Sequence, residues 1–161
     1  MPEITESEVL IVGAGPVGLT LAIDLAWRGI DVTVVETRGR AAAPEPKCNH
    51  VAARTMEIFR RLGLSKKVRN AGLPADYPHD ISYRTTFTGP ELARISIPCR
   101  RDRFTRTDGP DCNWPTPEPP HRINQIFSSR SCSSMPPPSH GSASSTGRRS
   151  KTWWWRIRPR M

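Results

Sequence analysis

The stretch EVLIVGAGPVGLT, Glu8–Thr20, contains the feature that decides the fold. An apolar run typical of a buried strand stops at Gly13, and glycine recurs at Gly15 and Gly18. Gly13 permits a tight turn, Gly15 leaves room for a pyrophosphate near the backbone, and Gly18 lets the next helix pack closely. The order of these residues predicts a strand, a turn and a helix whose N-terminus binds the phosphates of a dinucleotide.

The helix after this turn is predicted to run from Pro16 to Arg28. Pro16 and Val17 open it, so both are expected at the phosphates. Its apolar residues Val17, Leu21 and Leu25 are expected on one face, and Gly29 is placed to end it.

A second strand, Asp31–Val35, follows at once and ends at an acid, Glu36. Glu36 lies eighteen residues after Gly18, near the ~20 at which such folds place a carboxylate that accepts hydrogen bonds from ribose. A carboxylate there repels a 2′-phosphate, so FAD or NAD is expected in preference to NADP.

Charge is distributed unevenly along the chain, whose formal net charge is +9. Residues 1–127 carry seventeen Lys and Arg against fifteen acids, whereas residues 128–161 carry seven against none. The basicity thus belongs to the tail, and nucleic acid is not the partner expected for the body of the chain. No apolar run approaches the ~20 residues of a membrane span, which predicts a cytoplasmic protein without a membrane partner.

Neither the cysteines nor the histidines have the spacing of metal ligands, so no metal site is predicted. The four cysteines, expected as reduced thiols, are Cys48, Cys99, Cys112 and Cys132.

The middle of the chain is predicted to continue as α/β structure. The expected elements are an amphipathic helix at 52–62, a helix capped by Ser65 that ends near Gly72, two exposed antiparallel strands at 80–88 and 92–98, and a loop at 100–120.

Three segments together resemble the flavin-dependent aromatic hydroxylases, the single-component monooxygenases related to phenol hydroxylase and 4-hydroxybenzoate hydroxylase. They are GAGPVGL at 13–19, ARTMEIFRRLGL at 53–64 and PPHRINQ at 119–125. The resemblance implies FAD in a Rossmann-like domain, NADH or NADPH as reductant, and transfer of one oxygen atom of O2 to a small aromatic substrate. An NAD-dependent dehydrogenase remains an alternative, because the glycines and Glu36 serve NAD equally well.

The resemblance also implies roles for individual residues. The glycine-rich turn would hold the pyrophosphate and Glu36 the adenosine ribose, with Arg38 beside the adenine. Lys47 and Arg54 would lie near the phosphates or be surface charges, and Gln125 would contact the ribityl chain. No catalytic residue can be assigned.

The expected organisation is a partial Rossmann-like FAD-binding domain at 1–127 with a short antiparallel insertion, followed by a disordered tail at 128–161. The tail has ten serines, a Pro136–Pro138 run and a Trp153–Trp155 triplet. A one-base shift would turn Ser128–Pro138 into a Leu-Glu helix and the triplet into an apolar residue followed by Val-Val. One hypothesis is therefore that the tail is translated out of frame and the native enzyme is longer.

Segments of the family that also hold FAD have no counterpart after Phe127. We therefore expect both strands to have exposed edges, the chain to aggregate readily and bind FAD weakly, and hydroxylation to be absent. A competing hypothesis is a dinucleotide-binding module whose basic, Trp-bearing tail binds nucleic acid.

Overall fold

The computed structural model describes residues 6–38, 47–127 and the backbone of 153–157. These residues fall into two compact units, one formed by residues 1–47 with 125–161 and the other by residues 48–124.

The first unit is built on a three-stranded sheet covered by one helix. Strand β1 is Val9–Val12, helix α1 is Pro16–Trp27 and strand β2 is Val32–Glu36. β1 and β2 pair in parallel with Val9 opposite Val32, which is the βαβ arrangement that the sequence predicts. Ile11, Val32 and Val34 form the core with α1.

Helix α1 packs mainly through a different face from the one predicted, and of the three predicted residues only Leu25 packs against the core. Val17 is 82% exposed and Leu21 46%, while Ala22 and Ala26 are buried. Gly18, Ala22 and Ala26 follow one another at intervals of four, so they lie on one face of the helix. Their small size allows the helix to approach the sheet closely, and that packing outweighs the larger apolar area of Val17 and Leu21.

The third strand of this sheet comes from the tail. This strand, β7, is Trp153–Ile157 and pairs antiparallel with β2, with Glu36 opposite Trp153 and Val32 opposite Ile157. The strand order is β1–β2–β7. The prediction of disorder is therefore wrong for this segment, and the predicted exposed edge of β2 is covered. The remainder of the tail lies outside the described residues.

The second unit contains two helices and two small antiparallel ladders. Its elements are β3 at His50–Val51, α2 at Ala53–Arg61, α3 at Ser65–Asn70, β4 at Ile81–Arg84, β5 at Glu91–Ile95 and β6 at His121–Arg122. β3 pairs with β6, and β4 pairs with β5 as an exposed hairpin. Met56, Phe59, Leu64 and Val68 are buried within this unit.

The connection between α2 and α3 shows why both helices are short. Gly63 adopts φ of +72°, and the amide of Leu64 donates to the carbonyl of Phe59 at 2.6 Å, as in a Schellman ending. Leu64 is then the N-cap of α3, and no side chain caps that helix. The predicted cap, Ser65, is instead its first helical residue, because Leu64 is fixed by burial.

The loop predicted at 100–120 contains no helix or strand, and it begins earlier, at residue 96, because the strand predicted at 92–98 ends at Ile95. Ion pairs fix this loop to α3 and within itself. Glu118 accepts from Arg69 on α3, and Asp111 pairs with Arg103 within the loop. Asp111 adopts φ of +58°, a left-handed conformation that aspartate tolerates better than most residues.

Candidate functional site

The glycine-rich turn has the geometry that its spacing predicts. Gly13 has φ of +105°, and its amide donates to the carbonyl of Val35 at 2.7 Å, which ties the turn to β2. A Cβ on Gly18 would lie 2.0 Å from the carbonyl oxygen of Gly13, so no side chain fits there. A Cβ on Gly15 would meet no atom within 4 Å. The turn is therefore tight on its inner side and open at Gly15.

Helix α1 begins at this open position, and no hydrogen bond within the described residues uses the amides of Val17 and Gly18. Pro16 is its first residue and Gly15 its N-cap, and no side chain caps the helix. The first hydrogen bond is from the amide of Leu19 to the carbonyl of Gly15, at 2.9 Å. The amides of the first turn thus remain available, and they and the positive end of the helix dipole favour an anion.

The side chain of Glu36 lies beside the turn and accepts hydrogen bonds there. Its Oε2 accepts from the backbone amide of Ala14 at 3.0 Å, across 22 positions of sequence. Its Oε1 accepts from the amide of Arg38 at 3.0 Å and from the hydroxyl of Thr37 at 3.4 Å. The carboxylate at the end of β2 is thereby fixed beside the turn that follows β1.

Arg38 forms an ion pair with Glu36, with Nη2 at 2.7 Å from Oε2. This hydrogen bond is the main reason that the pKa of Glu36 falls from 4.5 to about 2, burial opposing it and the amides of Arg38 and Ala14 adding to it. Glu36 is ionised at neutral pH, and the four contacts match the roughly four acceptor positions of a carboxylate.

The remaining candidates are less closely connected to this turn. Lys47 is exposed in the first unit, after residues 39–46, which are not described. Gln125 is half-buried and begins the helical residues 125–127 of the same unit. Arg54 is the exposed second residue of α2 and belongs to the second unit. The structure brings together the turn, Glu36 and Arg38, and the binding roles of all the candidate residues stay predictions.

Sequence reasoning missed two features of this site. One is the bond between Ala14 and Glu36, which involves a backbone amide and therefore leaves no sequence signal. The other is the packing face of α1, which the spacing of Gly18, Ala22 and Ala26 could have indicated.

A βαβ unit with a tight glycine turn, a bare helix N-terminus and a carboxylate at the end of the second strand defines a dinucleotide-binding domain. The chain belongs to the FAD binding domain family, which it matches over residues 6–136.

Similar proteins point to one kind of flavoenzyme. The chain is 43% identical over 70 residues to the FAD-dependent monooxygenase apdD of Emericella nidulans, covering 44% of this chain and 11% of that protein. It is 35% identical over 91 residues to phenol 2-monooxygenase of Pseudomonas sp. (strain EST1001), covering 56% of this chain and 15% of that protein.

Solved structures agree in fold. RebC soaked with chromopyrrolic acid, with bound 7-carboxy-K252c, superposes with a TM-score of 0.71 at 35% identity, over 81% of this chain and 24% of that one. The flavin-dependent monooxygenase PieE in complex with FAD and substrate superposes with a TM-score of 0.61 at 30% identity. The match covers 83% of this chain and 22% of the PieE chain. The chain thus spans less than a quarter of each of these proteins.

Among the described residues, no helix is long and apolar enough to cross a membrane.

Proposed function

We propose that this chain is the FAD-binding part of a cytoplasmic, flavin-dependent monooxygenase that hydroxylates a small aromatic compound with NADH or NADPH and O2. FAD, when bound, supplies the redox chemistry. The residues of this chain bind and orient its adenosine and phosphate parts.

The observation that carries this proposal is the bond between the Ala14 amide and the Glu36 carboxylate, 3.0 Å long. It holds an ionised carboxylate beside an open, positively polarised turn. A dinucleotide needs both features at once, because its ribose donates hydrogen bonds while its pyrophosphate accepts them. The open space at Gly15 fits the approach of the pyrophosphate.

The residue roles that we propose rest on this arrangement for the turn, Glu36 and Arg38, and on the family resemblance for Lys47, Arg54 and Gln125. The turn formed by Gly13, Gly15, Pro16, Val17 and Gly18 holds the pyrophosphate, and Glu36 accepts from the ribose hydroxyls. The Arg38 side chain donates to Oε2 of Glu36. When the ribose binds to this oxygen, the Arg38 side chain moves away from it and lies beside the adenine. Lys47 and Arg54 supply positive charge to the phosphates, and Gln125 contacts the ribityl chain.

The substrate class rests on the names of similar proteins. They include phenol 2-monooxygenase and two 2,4-dichlorophenol 6-monooxygenases, the latter 32% and 34% identical to this chain over 92 and 90 residues. A phenol-like compound is therefore the substrate proposed for the whole enzyme. This chain covers only 15–16% of those proteins, and we propose that it does not hydroxylate alone.

Titration of the purified chain with FAD, followed by the flavin absorption spectrum and quenching of flavin fluorescence, tests the proposal. We expect one FAD per chain, weaker binding of NADH, and binding of FAD that falls about tenfold or more in Glu36→Gln, because that change removes an ionised acceptor. Tighter binding of NADH than of FAD would support the dehydrogenase alternative. Oxidation of NADPH by the chain that depends on added phenol would contradict its inactivity.

A further inference from the structure

The second unit contains a pocket that the flavin proposal does not use. Its volume is about 350 Å³. One wall is α3, which contributes Lys66, Arg69 and Asn70, and the other comes from the loop, which contributes Arg100, Phe104 and Glu118. None of these residues is among those assigned to FAD.

The acid in this pocket is already neutralised. Glu118 accepts from Nε and Nη2 of Arg69 at 3.2 and 2.7 Å, and the guanidinium of Arg60 lies 3.9 Å away. The side chains of Arg69 and Glu118 are only 9% and 10% exposed. This pair is therefore a fixed part of the pocket wall, and its two charges cancel.

Two cations of the pocket have no such compensation. Arg100 donates from Nη1 to Oδ1 of Asn70 at 2.6 Å, and Asn70 carries no charge. The Nε of Arg100 is buried and has no hydrogen-bond acceptor in the described part of the chain. Lys66 is exposed and makes no ion pair with a described carboxylate. Two cationic side chains without a partner carboxylate among the described residues favour an oxyanion in this pocket.

The positive charge in and around the pocket also acts on the pKa values of neighbouring groups, where burial is the larger cause. Burial and, after it, the charges of Arg69, His79 and Arg100 lower the pKa of His121 to about 3. Burial also lowers the pKa of Arg69, with Arg100 contributing in the same direction and Glu118 opposing.

Phe104 makes one side of the pocket apolar. Its ring lies under the guanidinium of Arg69, 5.0 Å from centroid to Cζ, and Phe104 as a whole is 58% exposed. Part of the ring is thus held in place by a cation–π contact, while the exposed part can pack against a ligand.

We propose that this pocket binds a small organic anion, with its carboxylate or phosphate between Lys66 and Arg100 and its planar apolar part against Phe104. Cationic side chains form charge-assisted hydrogen bonds with an oxyanion, and an aromatic wall favours a ring.

Calorimetric titration of the full chain tests this site, with benzoate, phenyl phosphate, inorganic phosphate and neutral benzyl alcohol as probes. We expect benzoate or phenyl phosphate to bind at one per chain and benzyl alcohol to give no saturable binding. The tighter of the two anions identifies the oxyanion. Absence of binding by both overturns the proposal.

Variants then locate the site. Arg100→Gln and Lys66→Gln should each weaken binding about tenfold or more. Lys67→Gln removes the same charge from the next, exposed residue of α3, which does not line the pocket, and it should change affinity less than about twofold. An equal loss in Lys67→Gln overturns the proposal, because it would indicate diffuse attraction.

Phe104→Ala tests the apolar wall. It should lower the affinity for phenyl phosphate to that for inorganic phosphate, and the affinity for inorganic phosphate should not change. Unchanged binding of phenyl phosphate would overturn the part of the proposal that concerns the ring. Circular dichroism of each variant checks the fold, and Lys66→Gln provides a test at an exposed position if Arg100→Gln does not fold.

Discussion

The carbonyl oxygen of Gly13 lies 2.0 Å from the position that a Cβ of residue 18 would occupy, so the turn and helix α1 touch through backbone alone. Gly15, three residues earlier, has nothing within 4 Å of its own Cβ position. One glycine therefore serves the packing of the domain, and the other leaves space for a ligand.

Two alanine substitutions separate these roles. Gly18→Ala should destabilise the first unit, by about 1–3 kcal/mol as expected for overpacking, and abolish FAD binding. Gly15→Ala should leave stability nearly unchanged, since Gly15 has φ of −73° and open space around it, but should still weaken FAD binding because the methyl group occupies the approach of the pyrophosphate. Urea unfolding and FAD titration of both variants measure the two effects. Equal loss of stability in the two would contradict this division.

The low pKa of Glu36 predicts a pH dependence of stability. Its pKa is lowered from 4.5 to about 2 in the folded protein, so the stabilisation is complete above pH 4.5 and disappears as the pH falls through about 2. Glu36→Gln lacks this contribution. We expect it to be less stable than the parent at pH 7 and the difference to shrink on acidification.

Thermal unfolding of the parent and Glu36→Gln between pH 7 and pH 3 measures this difference. Every other titrating group is common to both proteins, so subtraction isolates Glu36. A difference in melting temperature that is constant with pH would show that Glu36 does not have the lowered pKa.

Among the ion pairs of the second unit, the buried pair of Arg69 and Glu118 should contribute most to the free energy of unfolding. Glu118→Ala leaves the Arg69 guanidinium with a neutral acceptor, the carbonyl of Pro119 at 2.7 Å. We expect a loss of about 3–5 kcal/mol, because an unpaired charge stays buried. Chemical denaturation measures it.

Arg28→Gln is the matched control. Arg28 pairs with Asp24 one turn earlier on α1, and its side chain is 50% exposed. Breaking this pair should reduce stability by about 0.3–0.5 kcal/mol. A loss for Glu118→Ala that is no larger than this would mean that its pair with Arg69 contributes little.

Exposed apolar side chains lie on the face of the sheet opposite α1, and we expect them to promote aggregation. Leu10 is 62% exposed and Val12 80%, whereas Ile11 between them is 8% exposed on the covered face. Val12→Thr keeps the β-branched shape and makes this face more polar, so light scattering should fall with little change in stability. Ile11→Thr should destabilise by about 1–3 kcal/mol because it buries a hydroxyl. Aggregation that is unaffected by Val12→Thr would assign it to another surface.

Local features of the site could be predicted because they depend on backbone geometry. The start of α1 at Pro16, the strands on either side and the acid at residue 36 follow from glycine and proline conformations and from apolar runs of strand length. The buried charges of the second unit could not be predicted, because Arg69 and Glu118 are 49 positions apart and carry no common pattern.

The sequence by itself determined the order of strand, turn, helix and strand, and the carboxylate at its end, since each depends on near neighbours in the chain. Only the tertiary structure decided that α1 packs through Ala22 and Ala26, that Glu36 bonds to the Ala14 amide, and that Trp153–Ile157 pairs with β2. The physical reason is the same in all three cases. Close approach, buried hydrogen bonds and strand pairing depend on which distant segments meet, and apolar periodicity does not specify that.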